Sequence, residues 1–379
     1  MECIFMYFHA AHRAQSITQA RPHSYNGLVY RRPGPAGQVP GEEGNTMETS
    51  CKQILEWTDR ILDGGEITEE EARALIRTKD EDTMLLLACA DKIRQKFSGR
   101  TVDLCAIVNA RSGSCQEDCK FCAQSARYHT GVKTYKFLSE EEVIAAARRA
   151  KKAGAARFDI VTAGRDQRNP KDFDEICDLI RRIRKEVGIE VCCSLGFLTD
   201  EQARRLKEAG INRLHCNIES APSYFKEVCT THTAEEKMAN VARAQKAGIR
   251  VCCGGIIGLG ESLDQRVEMA FHLKKMHIDA VPLNVLNPIP GTPFEHNKRL
   301  APLEILRAFA MFRFVLPKAQ IRTAGGRQIN LRSLQSMALA GGMNGVMIGN
   351  YLTSKGSDPQ DDIQMLHDLG RRETVPNVQ

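Results

Sequence analysis

The sequence has few aromatic residues: 6% of its 379 residues are Phe, Trp or Tyr, and only one is Trp. It also has no apolar run near the ~18–20 residues that a membrane helix needs, so an integral membrane protein is not expected. There is no run of one charge, since 53 basic residues face 47 acidic ones and the formal +6 is spread along the chain. Nucleic-acid binding is therefore not suggested. The amino terminus lacks a basic region followed by an apolar core, which argues against a secretory signal. What remains is a composition of 42% apolar and 26% charged residues, that of a soluble globular protein with a sizeable core. Fourteen cysteines, several closely spaced, point to metal or redox chemistry in a reducing compartment, here the cytoplasm.

Residues 1–46 carry a Pro/Gly-rich segment from Arg31 to Gly44 and no sustained period, and read as disordered. They are taken as an upstream extension, with Met47 as the natural start and an organelle transit peptide as the alternative. Residues 47–100 read as two or three short helices, with Ile54, Trp57, Ile61, Leu75, Ile76 and Ile93 on their apolar faces. From 101 to 355, short apolar runs alternate with amphipathic stretches. The expected strands are 102–108, 157–163, 190–195, 213–218, 250–256, 280–286, 320–323 and 345–348. The expected helices are 140–153, 173–187, 201–209, 234–247, 263–276, 303–316 and 331–340, several of them stopping at a glycine such as Gly154 or Gly210. Eight such units predict the α/β class and a closed TIM-type (β/α)8 barrel, with N-terminal helices before it and a helix or tail over 356–379. Chemistry in such a barrel sits at the C-terminal ends of the strands.

Directly after the first expected strand stand Cys115, Cys119 and Cys122, in a CxxxCxxC spacing. Three thiolates so close can each hold one iron of a cubane cluster and leave the fourth iron open. A structural zinc site wants four closed ligands, commonly with a second CxxC pair that is missing here at standard spacing. This loop at the end of strand one resembles that of the radical S-adenosylmethionine (SAM) enzymes. The resemblance implies a [4Fe–4S] cluster whose open iron chelates SAM, and reductive cleavage of SAM to methionine and a 5′-deoxyadenosyl radical. Phe121 then matches the aromatic placed against the adenine.

The run Cys122-Ala-Gln-Ser-Ala-Arg-Tyr128 is more specific and resembles the biotin synthases, as do Leu195-Gly196, Cys252-Cys253-Gly254-Gly255, Gly291-Thr292-Pro293 and Gly326-Arg327. The resemblance covers about two-thirds of the chain. It implies sulfur insertion into dethiobiotin to give biotin, with SAM cleaved at one cluster and an auxiliary Fe–S cluster as sulfur donor. The C–H bonds replaced are unactivated and offer no acidic proton to a base. Carried over by position, Asn217 and Asn284 hold the ureido ring, Glu219 the SAM ribose and Lys237 the SAM carboxylate. Gly255 and Gly258 permit a close backbone approach to SAM. A flavodoxin- or ferredoxin-type electron donor and a homodimer are also implied.

One departure stands out. The auxiliary cluster of this family hangs on three cysteines and an arginine, and while Cys192, Cys252 and Arg322 match, Asp159 stands where a cysteine is expected. A carboxylate is a hard ligand for a sulfide cluster. Strand alternation turns only one of Cys192/Cys193 and one of Cys252/Cys253 into the barrel, and the matched Cys192 and Cys252 are the inward choices. Cys105 is the first replacement ligand and Cys216 the second, for an auxiliary cluster of [2Fe–2S] type or larger. Cys3, Cys51, Cys89, Cys177 and Cys229 are given no role. The competing readings are another radical SAM barrel enzyme of maturase or mutase type, without sulfur donation, and a non-enzymatic iron–sulfur carrier.

Overall fold

Helix α1 (Cys51–Leu62) starts at Ser50 and α2 (Glu69–Ile76) at Thr68, each through a reciprocal capping box, with Gln53 and Glu71 at the third helical position. Helix α3 (Thr83–Ser98) follows. The computed structural model describes residues 49–375. All of them belong to one compact unit, Thr46–Gln379, and the expectation for residues 1–46 lies outside them.

Beyond α3 the chain alternates as expected: β1 (Thr101–Arg111), α4 (Glu140–Lys152), β2 (Arg157–Thr162), α5 (Pro170–Glu186), β3 (Glu190–Ser194), α6 (Asp200–Ala209) and β4 (Arg213–His215). Next come α7 (Phe225–Val228), α8 (Ala234–Lys246), β5 (Arg250–Cys252), β6 (Gly255–Ile257), α9 (Leu263–Lys275), β7 (Ala280–Val285) and α10 (Pro302–Val315). The series ends with β8 (Gln320–Thr323), α11 (Arg327–Leu331), α12 (Gln335–Ala340), β9 (Gly345–Met347), α13 (Pro359–Asp368) and β10 (Arg372–Glu373).

Every strand pairing is parallel, and the β1–β9 pairing closes the barrel. β5 pairs with β4 and β7, while β6 pairs with β7, so the two share one of eight strand positions. The break falls at Gly254, where a Cβ would sit 1.9 Å from the Pro282 carbonyl oxygen. The expected helix 331–340 is in fact two helices. Arg332, at φ 52°, turns the chain between α11 and α12.

Outward residues such as Phe158, Ile160, Val191, Cys193, Leu214, Val251 and Cys253 join one apolar core between sheet and helices. α10 is buried almost all round, from Ile305 to Val315, because α2 and α3 cover the side that the barrel leaves open. The N-terminal helices thus complete the helical shell. No helix among the described residues is long and apolar enough to cross a membrane.

Candidate active site

The cysteine triplet lies on the long connection between β1 and α4, at the C-terminal ends of the strands. Backbone bonds tie this loop to itself: Cys115 N–H donates to the Gln124 carbonyl, Ala126 N–H to the Cys115 carbonyl, and Cys122 N–H to the Cys119 carbonyl. A second set ties it to the segment after α7. Lys120 N–H donates to the Val228 carbonyl, and the Asp118 carboxylate accepts from the N–H groups of Thr230 (2.9 Å) and Thr231 (3.1 Å).

Burial works against ionisation of Asp118, yet these bonds and those from Cys229 and the Thr230 hydroxyl hold its carboxyl well below the usual carboxylate range. A depressed acid stabilises the fold above its ordinary value, and the gain is lost as pH falls through the folded value. Asp118→Asn is therefore expected to lower urea stability of the cluster-free chain at pH 7, with the difference from the parent shrinking below pH ~3.8. A difference equal at pH 7 and pH 3 would contradict this latch.

All three triplet cysteines are partly exposed. Burial raises Cys122 to about 11, helped by the neighbouring Cys115 and Glu219. The Cys122 thiol therefore keeps its proton until a metal displaces it. Phe121 packs beside Val228, Ile256, Leu259 and Leu286, an apolar wall next to the triplet.

Glu219 has a left-handed backbone, φ 63°, and its carbonyl accepts from Ile256 N–H at 2.8 Å. A Cβ on Gly255 would lie 2.7 Å from that carbonyl oxygen and 2.5 Å from Met269 Sδ, so glycine is required here by the chain's own packing. Gly258, at φ 92°, donates its N–H to Glu261. Lys237 is half-buried, 5.6 Å above the Phe197 ring. Burial opposes its charge, but Cys216, Glu219 and Cys119 outweigh this and raise its pKa.

Asn217 accepts from Gly254 N–H (3.0 Å) and donates to the Glu219 carboxylate (3.3 Å). Asn284 accepts from Gly325 N–H (2.8 Å) and donates to the Gly255 carbonyl (3.3 Å). Each amide thus spends one donor on the scaffold and keeps a second N–H.

Deeper in the lumen, Cys105, Cys192 and Cys252 are all buried and absent from the apolar core, unlike Cys193 and Cys253. Arg322 reaches Cys252 Sγ at 3.7 Å and pairs with Asp103, which Arg157 also meets. Burial raises Cys105 to about 11. Burial also opposes ionisation of Cys252, but a hydrogen bond from His215 and the charges of His215, Arg322 and Arg213 bring that thiol down to about 7.

Asp159 accepts from the Ser194 hydroxyl at 3.1 Å through one oxygen, while its other oxygen, with Arg322 Nε and Arg213 Nε, is buried without a partner. Three soft donors ringed by cations and by orphaned polar atoms fit an anionic sulfide cluster. If Asp159 is no ligand, Asp159→Asn leaves iron and sulfide per chain unchanged, and loss of the auxiliary cluster's iron and sulfide would overturn that reading.

Cys216 is not brought to this group. It follows inward-facing His215 and so faces outward, accepting from Asn240 Nδ2 at 3.4 Å. His215 takes the place beside Cys252 instead. Sequence reasoning also passed over Arg157 and Arg213, whose signal was a charge at an inward strand position. It passed over Cys229 too, whose sulfur lies 3.8 Å from that of Cys119.

Residues 111–273 match the Radical SAM superfamily, and residues 282–372 match the Biotin and Thiamin Synthesis associated domain. A biotin synthase of Carboxydothermus hydrogenoformans is 46% identical over 319 residues, covering 84% of this chain and 98% of that protein. The chain belongs to the biotin synthase family. A second biotin synthase, from Desulforudis audaxviator, is 48% identical, with 82% and 94% covered.

Among solved structures, methylornithine synthase aligns with a TM-score of 0.74 at 20% identity, over 84% of this chain and 97% of the other. A maturase of the [FeFe]-hydrogenase aligns at 0.75 and 18%, over 88% and 78%. These two share the barrel. As an enzyme of the biotin synthase family within the radical SAM superfamily, the chain uses a [4Fe–4S] cluster and SAM. The triplet loop fits that cluster: it offers three thiols and no fourth ligand in sequence.

Proposed function

We propose that the chain forms biotin from dethiobiotin by sulfur insertion, with Cys115, Cys119 and Cys122 holding the SAM-cleaving cluster. Cys105, Cys192, Cys252 and Arg322 hold the auxiliary cluster that gives up sulfur. One juxtaposition carries the reading: three thiols at the barrel mouth and three more in the lumen, with Asn217 just past the end of β4 and Asn284 further along β7 than the lumen group. When bound, the cluster and SAM supply the one-electron chemistry that breaks unactivated C–H bonds.

The residues of the chain do the rest. The free N–H groups of Asn217 and Asn284 point the ureido ring, while Glu219 accepts from the ribose hydroxyls and Lys237 pairs with the SAM carboxylate. Phe121 covers the adenine, and the backbone at Gly255, which lies against the Glu219 carbonyl, and at Gly258 allows SAM a close approach. Arg322, Arg213 and Arg157 offset the negative charge that three lumen thiolates bring, and His215 orients Cys252. The auxiliary cluster is [2Fe–2S] or larger. A flavodoxin- or ferredoxin-type donor reduces the enzyme, which works as a homodimer in the cytoplasm.

Dethiobiotin deuterated at the two carbons that receive sulfur tests the reading. Deuterium is expected in 5′-deoxyadenosine in step with biotin, and unlabelled deoxyadenosine with no biotin would refute it. The maturase or mutase alternative rests on Asp159 standing where a cysteine is expected, and the solved structures of 18–20% identity add to it a likeness of fold alone.

A further inference from the structure

Next to the triplet, two donors, Cys229 and His232, have no part in the chemistry above. Cys229 follows the short α7, His232 stands three residues on, and the two meet Cys119 across more than a hundred residues of sequence. Cys119 Sγ and Cys229 Sγ are 3.8 Å apart, Cys229 Sγ and His232 Nδ1 are 3.3 Å apart, and all three donor atoms lie within 4.8 Å of one another. Cys229 and His232 are buried.

A tetrahedral ion with metal–sulfur bonds of about 2.3 Å and metal–nitrogen bonds of about 2.0–2.1 Å separates its sulfurs by about 3.8 Å and sulfur from nitrogen by about 3.5 Å. Two of the three donor separations thus already match the edges of such a tetrahedron. His232 is clasped by the edges of Phe197 and Phe225, each 5.5 Å away, and its Nδ1 meets the Glu117 carboxylate. Its Nε2 is buried without a hydrogen-bond partner, so the imidazole is oriented entirely from the Nδ1 side.

We propose that Cys119, Cys229 and His232 form a second metal site, taking one divalent first-row cation of the Zn²⁺ or Fe²⁺ kind when the SAM cluster is absent. A water molecule completes the four ligands. Binding releases two protons to solvent and leaves the imidazole with its remaining proton on Nε2, with no change of oxidation state. Cys119 cannot serve this ion and the cubane together, so the two occupancies exclude each other. That exclusion, unlike the site itself, rests on Cys119 being a cluster ligand. The ion would hold the triplet loop against the α7 segment and cap one cluster thiol before assembly. A tightly held zinc ion would block assembly.

The test is a Co²⁺ titration of the anaerobic, cluster-free full chain, read by its visible d–d bands and near-ultraviolet thiolate-to-cobalt bands. The expected result is a tetrahedral spectrum that Cys229→Ser weakens by about tenfold or more in affinity, as does His232→Asn, while Cys115→Ser and Cys252→Ser leave it unchanged. Having two variants guards against one that does not fold, which far-ultraviolet circular dichroism reports. Binding unaffected by Cys229→Ser and His232→Asn, or lost in Cys115→Ser, would overturn the site. In a second arm the chain carries the [4Fe–4S] cluster, and the Cys229-dependent signal should vanish. Its persistence there, with the first arm intact, would refute the assignment of Cys119 to the cluster rather than the new site.

Discussion

Cys252→Ala is expected to abolish biotin formation while SAM cleavage continues. Cys252 is the lumen thiol with the most developed surroundings, having Arg322 at 3.7 Å and a hydrogen bond from His215. Its removal leaves Cys105 and Cys192, which are too few soft donors to hold a cluster. The loss of auxiliary iron should exceed the ~10–100-fold cost of deleting an outer-shell partner, and His215→Asn should fall within that range. Cys105→Ala should behave like Cys252→Ala, whereas Cys216→Ala should keep full iron because its thiol meets Asn240 outside the lumen. Iron retained in Cys105→Ala would make that residue a core cysteine and nothing more. Iron and sulfide per chain, measured beside 5′-deoxyadenosine, separate these outcomes.

Replacing Cys115, Cys119 or Cys122 by Ala is expected to remove SAM cleavage and biotin together. The loop is held by bonds that do not involve the thiols, among them Asp118 to Thr230 and Cys115 N–H to the Gln124 carbonyl. The variants should therefore keep their fold and the auxiliary iron while losing the first cluster. Glu219→Gln is the milder comparison: a charge-assisted hydrogen bond of about 1.5–3 kcal/mol corresponds to roughly tenfold or more in SAM affinity. Residual SAM cleavage near the parent rate in any triplet variant would break the assignment.

The barrel was legible because each unit repeats one pattern, an apolar run, an amphipathic stretch and a glycine stop. Gly210, at φ 87°, ends α6 in the left-handed region as its position suggested. Period-two alternation likewise separated Cys192 and Cys252 from Cys193 and Cys253. It was applied to cysteine pairs but not to His215-Cys216, where it would have turned the histidine inward.

Two breaks in regular structure were hidden, each for a local reason. The apolar run 250–256 gives no sign that the Pro282 carbonyl closes on Gly254, and nothing in the 331–340 pattern marks the positive φ of Arg332. The meeting of Cys119 with Cys229 and His232 was also out of reach, since it depends on how the β1–α4 loop lies on the segment after α7.

The central claim, two clusters at two depths of one barrel acting on one substrate, is tested most directly by an anaerobic single turnover. Reconstituted chain is given dethiobiotin, SAM and a reductant, and biotin, 5′-deoxyadenosine, iron and sulfide are counted together. The account predicts biotin with about two deoxyadenosines for each product, one per C–H bond replaced. It also predicts about six iron atoms per chain for a [2Fe–2S] auxiliary cluster, or about eight for a four-iron one. Deoxyadenosine without biotin, from a chain holding only about four iron atoms, would contradict it.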